Sequence, residues 1–279
     1  MVFESFAESL SFFLWSTFII SVLLGAIVNK TNFCTMGAVS DMVNMSDYGR
    51  FRAWLLAIAV AMLGVSVLEY IGMVNVTDAF PPYRQTSLIY IENIIGGFLF
   101  GIGMTYASGC GNKTLIRIGG GNIKSILVFA IIALIAFYMT NPFPNSDKTL
   151  YSVLFYEWIS PMAVQLETNQ DIGAMIGGED NTQMMRLIAG LVVGLGIMVY
   201  VFRSADFRSS KDNVIGGIAI GLIILAAWYV SSNIGVTAED ENYTLGEYYA
   251  EWDMLAEDDE GKPATGRALS PQSFTFINP

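Results

Sequence analysis

The chain has 279 residues, 53% of them hydrophobic and only 14% charged, where an average soluble protein carries about 25% charged residues. Its 25 acids against 14 bases give a net charge of -11, which excludes the basic face that a DNA or RNA partner needs. With no histidine and two cysteines, Ser-His-Asp hydrolysis, His-ligated metals, four-thiolate zinc and a disulfide framework are excluded as well.

Six windows nearly free of charge follow one another along the chain. They are 11–28 (SFFLWSTFIISVLLGAIV), 53–74 with Glu69 near its end, 94–109, 125–140, 187–202 and 214–234. A bilayer core takes roughly 20 apolar residues in helical form. The two longest windows reach that length unaided, and six in succession predict an all-α, polytopic membrane protein with about six spanning helices. Buried helices of a soluble protein would show charged outer faces, and these do not. The first window follows Glu4 and Glu8 rather than a basic segment and lacks a small-residue cleavage site. It is read as a retained first helix, not a signal peptide.

The bases alternate between connections. Lys30, Arg50 and Arg52 follow the first window, Lys113, Arg117 and Lys124 the third, and Arg203, Arg208 and Lys211 the fifth. The positive-inside rule puts these loops in the cytoplasm and the N-terminus outside. Residues 1–238 form the expected transmembrane domain. Within it, 141–186 is too long for a simple turn and reads as an ordered insert outside the membrane. Residues 239–279 form an acidic tail or linker, although Tyr243, Tyr248, Tyr249 and Trp252 are unusual for a disordered one. The tail contributes -8 to the net charge and the insert -4, so the membrane body is nearly neutral.

The apolar pattern breaks at two cysteines. The first break reads NKTNFCTMGAVSD around Cys34, with Asn32 and Thr35 beside it. The second reads ASGCGNKTLIRIGGGN, with Gly109, Cys110, Gly111, Asn112, Lys113 and Thr114 in succession. Each places one thiol among small and hydroxyl residues, then polar residues, then another helix. This pattern predicts re-entrant or broken helices, because irregular backbone at membrane depth survives only against protein or a water-filled cavity. A helix starting at such a break offers free N–H groups and a positive dipole end, which suits an anion. Lys113 and Arg117 add positive potential there. A thiol, small and polarizable, suits a sulfur-bearing ligand. Two simpler readings stay open: cysteines serving as small buried hydrophobes, and a Cys34–Cys110 disulfide. Three GxxxG spacings, Gly97–Gly101, Gly190–Gly194 and Gly217–Gly221, are expected to mark close helix packing within the protein. Gly119–Gly121 lacks the preceding strand and the Gly-Lys-Ser/Thr of a P-loop.

The two cysteine strings resemble the motifs of the YeeE/YedE sulfur-transport family, the bacterial thiosulfate-uptake membrane proteins. The resemblance extends to about residue 235. It implies a helical inner-membrane protein with pseudo-symmetric repeats, in which short re-entrant helices meet and central cysteines line the route of thiosulfate. It further implies passage by transient S–H···S contacts without cleavage of the S–S bond, and neither catalytic residues nor a cofactor. Carried over, Cys34 and Cys110 are two of the thiols, and a small sulfur-carrier protein of the TusA type is the implied cytoplasmic partner. The family pattern continues into further helices with a third cysteine that this chain lacks, so the sequence is expected to be truncated. The alternatives are a membrane sulfurtransferase forming a persulfide on Cys110, activated by Lys113 and the following helix, and a carrier for another sulfur or selenium anion.

Overall fold

The structure is a computed structural model that describes residues 1–76, 84–144, 146–178, 181–238, 241–245 and 248. The chain runs β1 (Val2–Phe3), α1 (Phe6–Thr31), α2 (Thr35–Asn44), α3 (Gly49–Tyr70), β2 (Ser87–Leu88), α4 (Tyr90–Tyr106), α5 (Gly111–Gly119) and α6 (Ile123–Thr140). A π-helical turn over Ser152–Tyr156 then leads into α7 (Glu157–Ile159), β3 (Val164–Gln165), α8 (Ile172–Gly177), α9 (Thr182–Phe202), α10 (Ala205–Ser209), α11 (Lys211–Asn233), β4 (Gly235–Ala238) and β5 (Glu241–Thr244). By length and composition, six helical segments can cross a membrane: Phe6–Asn44, Gly49–Tyr70, Tyr90–Gly119, Ile123–Thr140, Thr182–Phe202 and Lys211–Asn233. The protein is therefore an all-α, multi-pass membrane protein, with one span for each apolar window. The second span ends before its window does: α3 stops at Tyr70, where Gly72 at φ +75° turns the chain and the Met73 amide returns to the Leu68 carbonyl.

Three times the chain makes a long helix, a short one and another long one. The units are α1–α2–α3, α4–α5–α6 and α9–α10–α11. The packed centre is α3, held between α9 and α11, with α1 on the outer side of α11. Glycines permit this approach. A Cβ on Gly217 or Gly221 of α11 would lie 2.8 Å from the Ala53 or Ala57 carbonyl oxygen of α3, and one on Gly194 of α9 would lie 2.7 Å from Leu63 Cγ. Two of the three GxxxG faces thus pack internally. The third does not: Gly97 and Gly101 of α4 have nothing within 4 Å of the Cβ position. Helix α4 buries no residue and α6 buries only Ser125. Hydrocarbon tails solvate such apolar faces as well as protein does.

Small strands tie the ends together. In the sheet β1–β4–β5, Val2–Phe3 pairs in parallel with Gly235–Val236, and β4 pairs antiparallel with β5. Buried Ser9 donates to the Gly235 carbonyl at 3.1 Å. Phe13, Ile234, Val236, Leu245 and Tyr248 form a core here, and Tyr248 stacks on Phe6 with ring centroids 5.2 Å apart. The expected boundary between 238 and 239 thus lies between the two paired strands β4 and β5, and Tyr243 packs against this core. Tyr249, Trp252 and the terminal SPQSFTFINP lie outside the described residues.

The insert is anchored twice. Strand β3 pairs with β2 through Ser87–Gln165 and Leu88–Val164, and a cluster of four charges joins it to the spans. Arg84 forks onto Glu69 of α3 and lies 3.7 Å from Asp171, while Arg186 of α9 bonds Asp171 at 2.8 and 3.0 Å and lies 3.8 Å from Glu69. Asp171 also caps α8, accepting the Ala174 amide at 2.9 Å. Burial works against its charge, but the Arg186 fork, the Ala174 amide and Arg84 together hold the carboxyl below its usual range. Residues 182–186, inside the expected insert, belong to the start of α9, which begins ahead of its charge-free window.

Candidate functional site

Both cysteines sit at the N-cap of a short helix that follows a spanning helix. Helix α1 ends at Asn32, exposed and left-handed at φ 51°, whose amide returns to the Val28 carbonyl. Asparagine tolerates that conformation better than other side chains with a Cβ. Two residues later Cys34 adopts extended backbone, and its sulfur accepts the Gly37 amide at 3.3 Å, as a serine oxygen would at a helix start. Thr35 is the first residue of α2.

The second break is tighter. Ser108 is left-handed at φ 58° and Gly109 lies at φ +153°, buried. A Cβ on Gly109 would meet Lys113 Cδ at 2.8 Å, so the lysine stem folds back over this glycine. Cys110 is the N-cap of α5 but makes no capping bond with its sulfur. Gly111 opens the helix with nothing within 4 Å of its Cβ position. Thr114 is buried, and its hydroxyl donates to the Cys110 carbonyl at 3.1 Å. Both cysteines are free thiols and half-buried.

The two breaks face a shared region. Phe33, next to Cys34, and Ile116 of α5 pack against one cluster made by Val28, Ala57 and Ile220. Between α1 and α5 lies a cavity of 610 Å³ whose polar lining is Ser21, Asn29 and Asn112, with Gly25, Gly119 and Gly120 opening its walls. Its lining includes neither cysteine. Ser21, Gly25 and Asn29 recur every four residues on one face of α1, which is the sequence signal that identifies that wall.

Two residues outside the predicted set complete the first break. Asp41 of α2 is 5% exposed and is held by the Nε and Nη2 edge of Arg50, from α3. The guanidinium packs against the first turn of α2 with Nη1 leading: a Cβ on Gly37 would collide with Nη1 and come within 3.1 Å of Cζ. In sequence Arg50 reads as one more loop base. The third short helix repeats the capping geometry with oxygen in place of sulfur, since Ser204 accepts the Phe207 amide at 3.4 Å.

These features define a membrane protein whose spanning helices are interrupted by cysteine-capped half-helices. A family model described as sulphur transport matches residues 30–260, and the chain belongs to that family. It is similar to the thiosulfate transporter TsuA of Escherichia coli (strain K12), at 31% identity over 127 residues, 46% of this chain and 34% of that protein. It is also similar to the thiosulfate transporter TsuA of Spirochaeta thermophila, at 27% identity over 108 residues, 39% of this chain and 31% of that protein. The chain spans about a third of the length of the curated relatives it matches.

Proposed function

We propose that this protein takes part in carrying thiosulfate across a bacterial inner membrane, with its N-terminus outside and Cys34 and Cys110 on the route. The observation that carries this reading is the placement of both cysteines of the chain at the N-caps of α2 and α5. A half-helix N-terminus presents unpaired N–H groups and a positive dipole end to an anion. A thiol beside it meets the sulfur end of the same ion with a weak, polarizable donor. Asn32, Thr35, Gly109, Gly111, Asn112, Lys113 and Thr114 supply the polar and open surroundings, and the cavity along α1 extends them. Contacts of this kind pass an ion on without breaking its S–S bond. Transport rather than enzymatic chemistry is the reading, and a sulfur carrier of the TusA type is the proposed receiver on the cytoplasmic side.

The test is uptake of radiolabelled thiosulfate by a bacterium that lacks its own sulfate and thiosulfate importers and carries the encoding gene. Gene-dependent uptake and growth on thiosulfate are expected, with Cys110→Ala reducing uptake by about tenfold or more, the cost of one lost substrate contact of about 1.4 kcal/mol. Uptake unchanged in that variant removes the thiol from the route. A purified protein that becomes stably heavier by one sulfur atom at Cys110 after exposure to thiosulfate would instead support a sulfurtransferase.

A further inference from the structure

The Arg50 guanidinium has one edge committed and one nitrogen left over. Its Nε and Nη2 bond the two oxygens of the buried Asp41 carboxylate. Among the described residues Nη1 has no hydrogen-bond partner, although a guanidinium carries five N–H donors. That nitrogen faces Gly37, the residue whose amide caps the Cys34 sulfur. Cys34 and Arg50 thus meet at the same residue of α2. A Cβ at 37 would force the tip of the guanidinium to shift from this turn.

We infer that Arg50 is a substrate-contact residue: held by Asp41, it presents Nη1 to the oxygen end of the sulfur anion whose other end meets Cys34. This rests on the reading of the cysteine breaks as an anion route. A thiosulfate ion has two chemically different ends. Its sulfane sulfur is soft and suits a thiol, while its three oxygens call for charge-assisted N–H donors. Arg50 and Cys34 supply the two kinds around the first turn of α2, where both meet Gly37. The bidentate grip of Asp41 fixes the plane of the guanidinium, so the donor is aimed in advance rather than ordered on binding. Lysine cannot reproduce this, as its single nitrogen would be drawn onto Asp41.

Two measurements test the assignment. In uptake assays, Arg50→Lys and Arg50→Met are expected to raise the KM for thiosulfate about tenfold or more with a smaller effect on the maximal rate, as loss of one charged hydrogen bond implies. In a Cys110→Ala background, where Cys34 is the remaining thiol, its modification by a sulfonate-bearing methanethiosulfonate reagent is compared with that by a neutral one. The anionic reagent is expected to be favoured, and both Arg50 variants are expected to erase the preference. A swap, Asp41→Arg with Arg50→Asp, keeps an ion pair between α2 and α3 but moves the donor. It is expected to restore thermal stability without restoring KM or reagent preference. If Arg50→Lys retains both the KM and the preference, or the swap restores both, Arg50 only braces the two helices and the inference falls. If Arg50 controls the reagent preference but the unmodified protein takes up no thiosulfate, the thiosulfate reading fails while the oxyanion contact stands.

Discussion

Cys34 and Cys110 hold the same helix position but carry different structural duties. The Cys34 sulfur accepts the Gly37 amide, whereas the Cys110 sulfur caps nothing and its turn is held by the Thr114 hydroxyl, with Gly109 before it at φ +153°. Replacing Cys34 by Ala therefore removes a cap as well as a thiol. Because sulfur is a weak acceptor, the cost belongs at the low end for N-caps, about 0.5 kcal/mol, and Cys34→Ser should recover it. Cys110→Ala should leave stability within error. Thermal unfolding of the detergent-solubilised variants separates these outcomes, and equal losses at both sites would show that the sulfur bond contributes nothing. At this scale much of the site was legible, since a thiol amid Gly, Ser, Thr and Asn at the end of an apolar run is a local pattern. Arg50 was not. Its neighbourhood with Gly37 exists only after α2 turns back on α3, and no spacing in the chain records that return.

Among the elements, glycine faces separate helices that meet protein from those that do not. Gly217 and Gly221 of α11 sit against carbonyl oxygens of α3, which cannot move aside without breaking helical hydrogen bonds. Gly217→Ala is expected to destabilise by about 1–3 kcal/mol through overpacking. Gly101→Ala on α4 meets open space and should be neutral or stabilising by up to about 1 kcal/mol through helix propensity. Unfolding in mixed detergent with rising SDS measures both; a cost at Gly101 as large as at Gly217 would place a packed neighbour on α4. The same GxxxG spacing thus appears in all three helices, and the sequence cannot say which is occupied, because occupancy is decided by the facing helix. Spanning helices were legible because a bilayer imposes a length and an apolar composition on each. The strands were not, being two to four residues long, too short for alternation to register. Helix α10 was missed for the same reason of length.

At the scale of the whole molecule, acidic residues have a structural use where the insert meets the spans. Glu69, Arg84, Asp171 and Arg186 have side chains only 13–19% exposed, so each charge depends on its partners. The sequence placed Glu69 near the end of an apolar window but gave no sign that residues so far apart in the chain meet. The pH dependence follows from Asp171, whose folded carboxyl is held below its usual value. Above about pH 4, the ordinary aspartate range, both folded and unfolded chains carry the charge and the cluster contributes in full. As pH falls through that value the unfolded chain takes up its proton first, so stability declines, and it is lost once the folded carboxyl also protonates. Asp171→Asn keeps a side chain able to cap α8 but removes the charge. This variant is expected to melt below the unmodified protein at pH 7 and to lose less on acidification from pH 5 to pH 3. Melting curves that fall in parallel for the two proteins over that range would mean that acids elsewhere govern the acid sensitivity and that the insert is held mainly by β2–β3 and α8 packing.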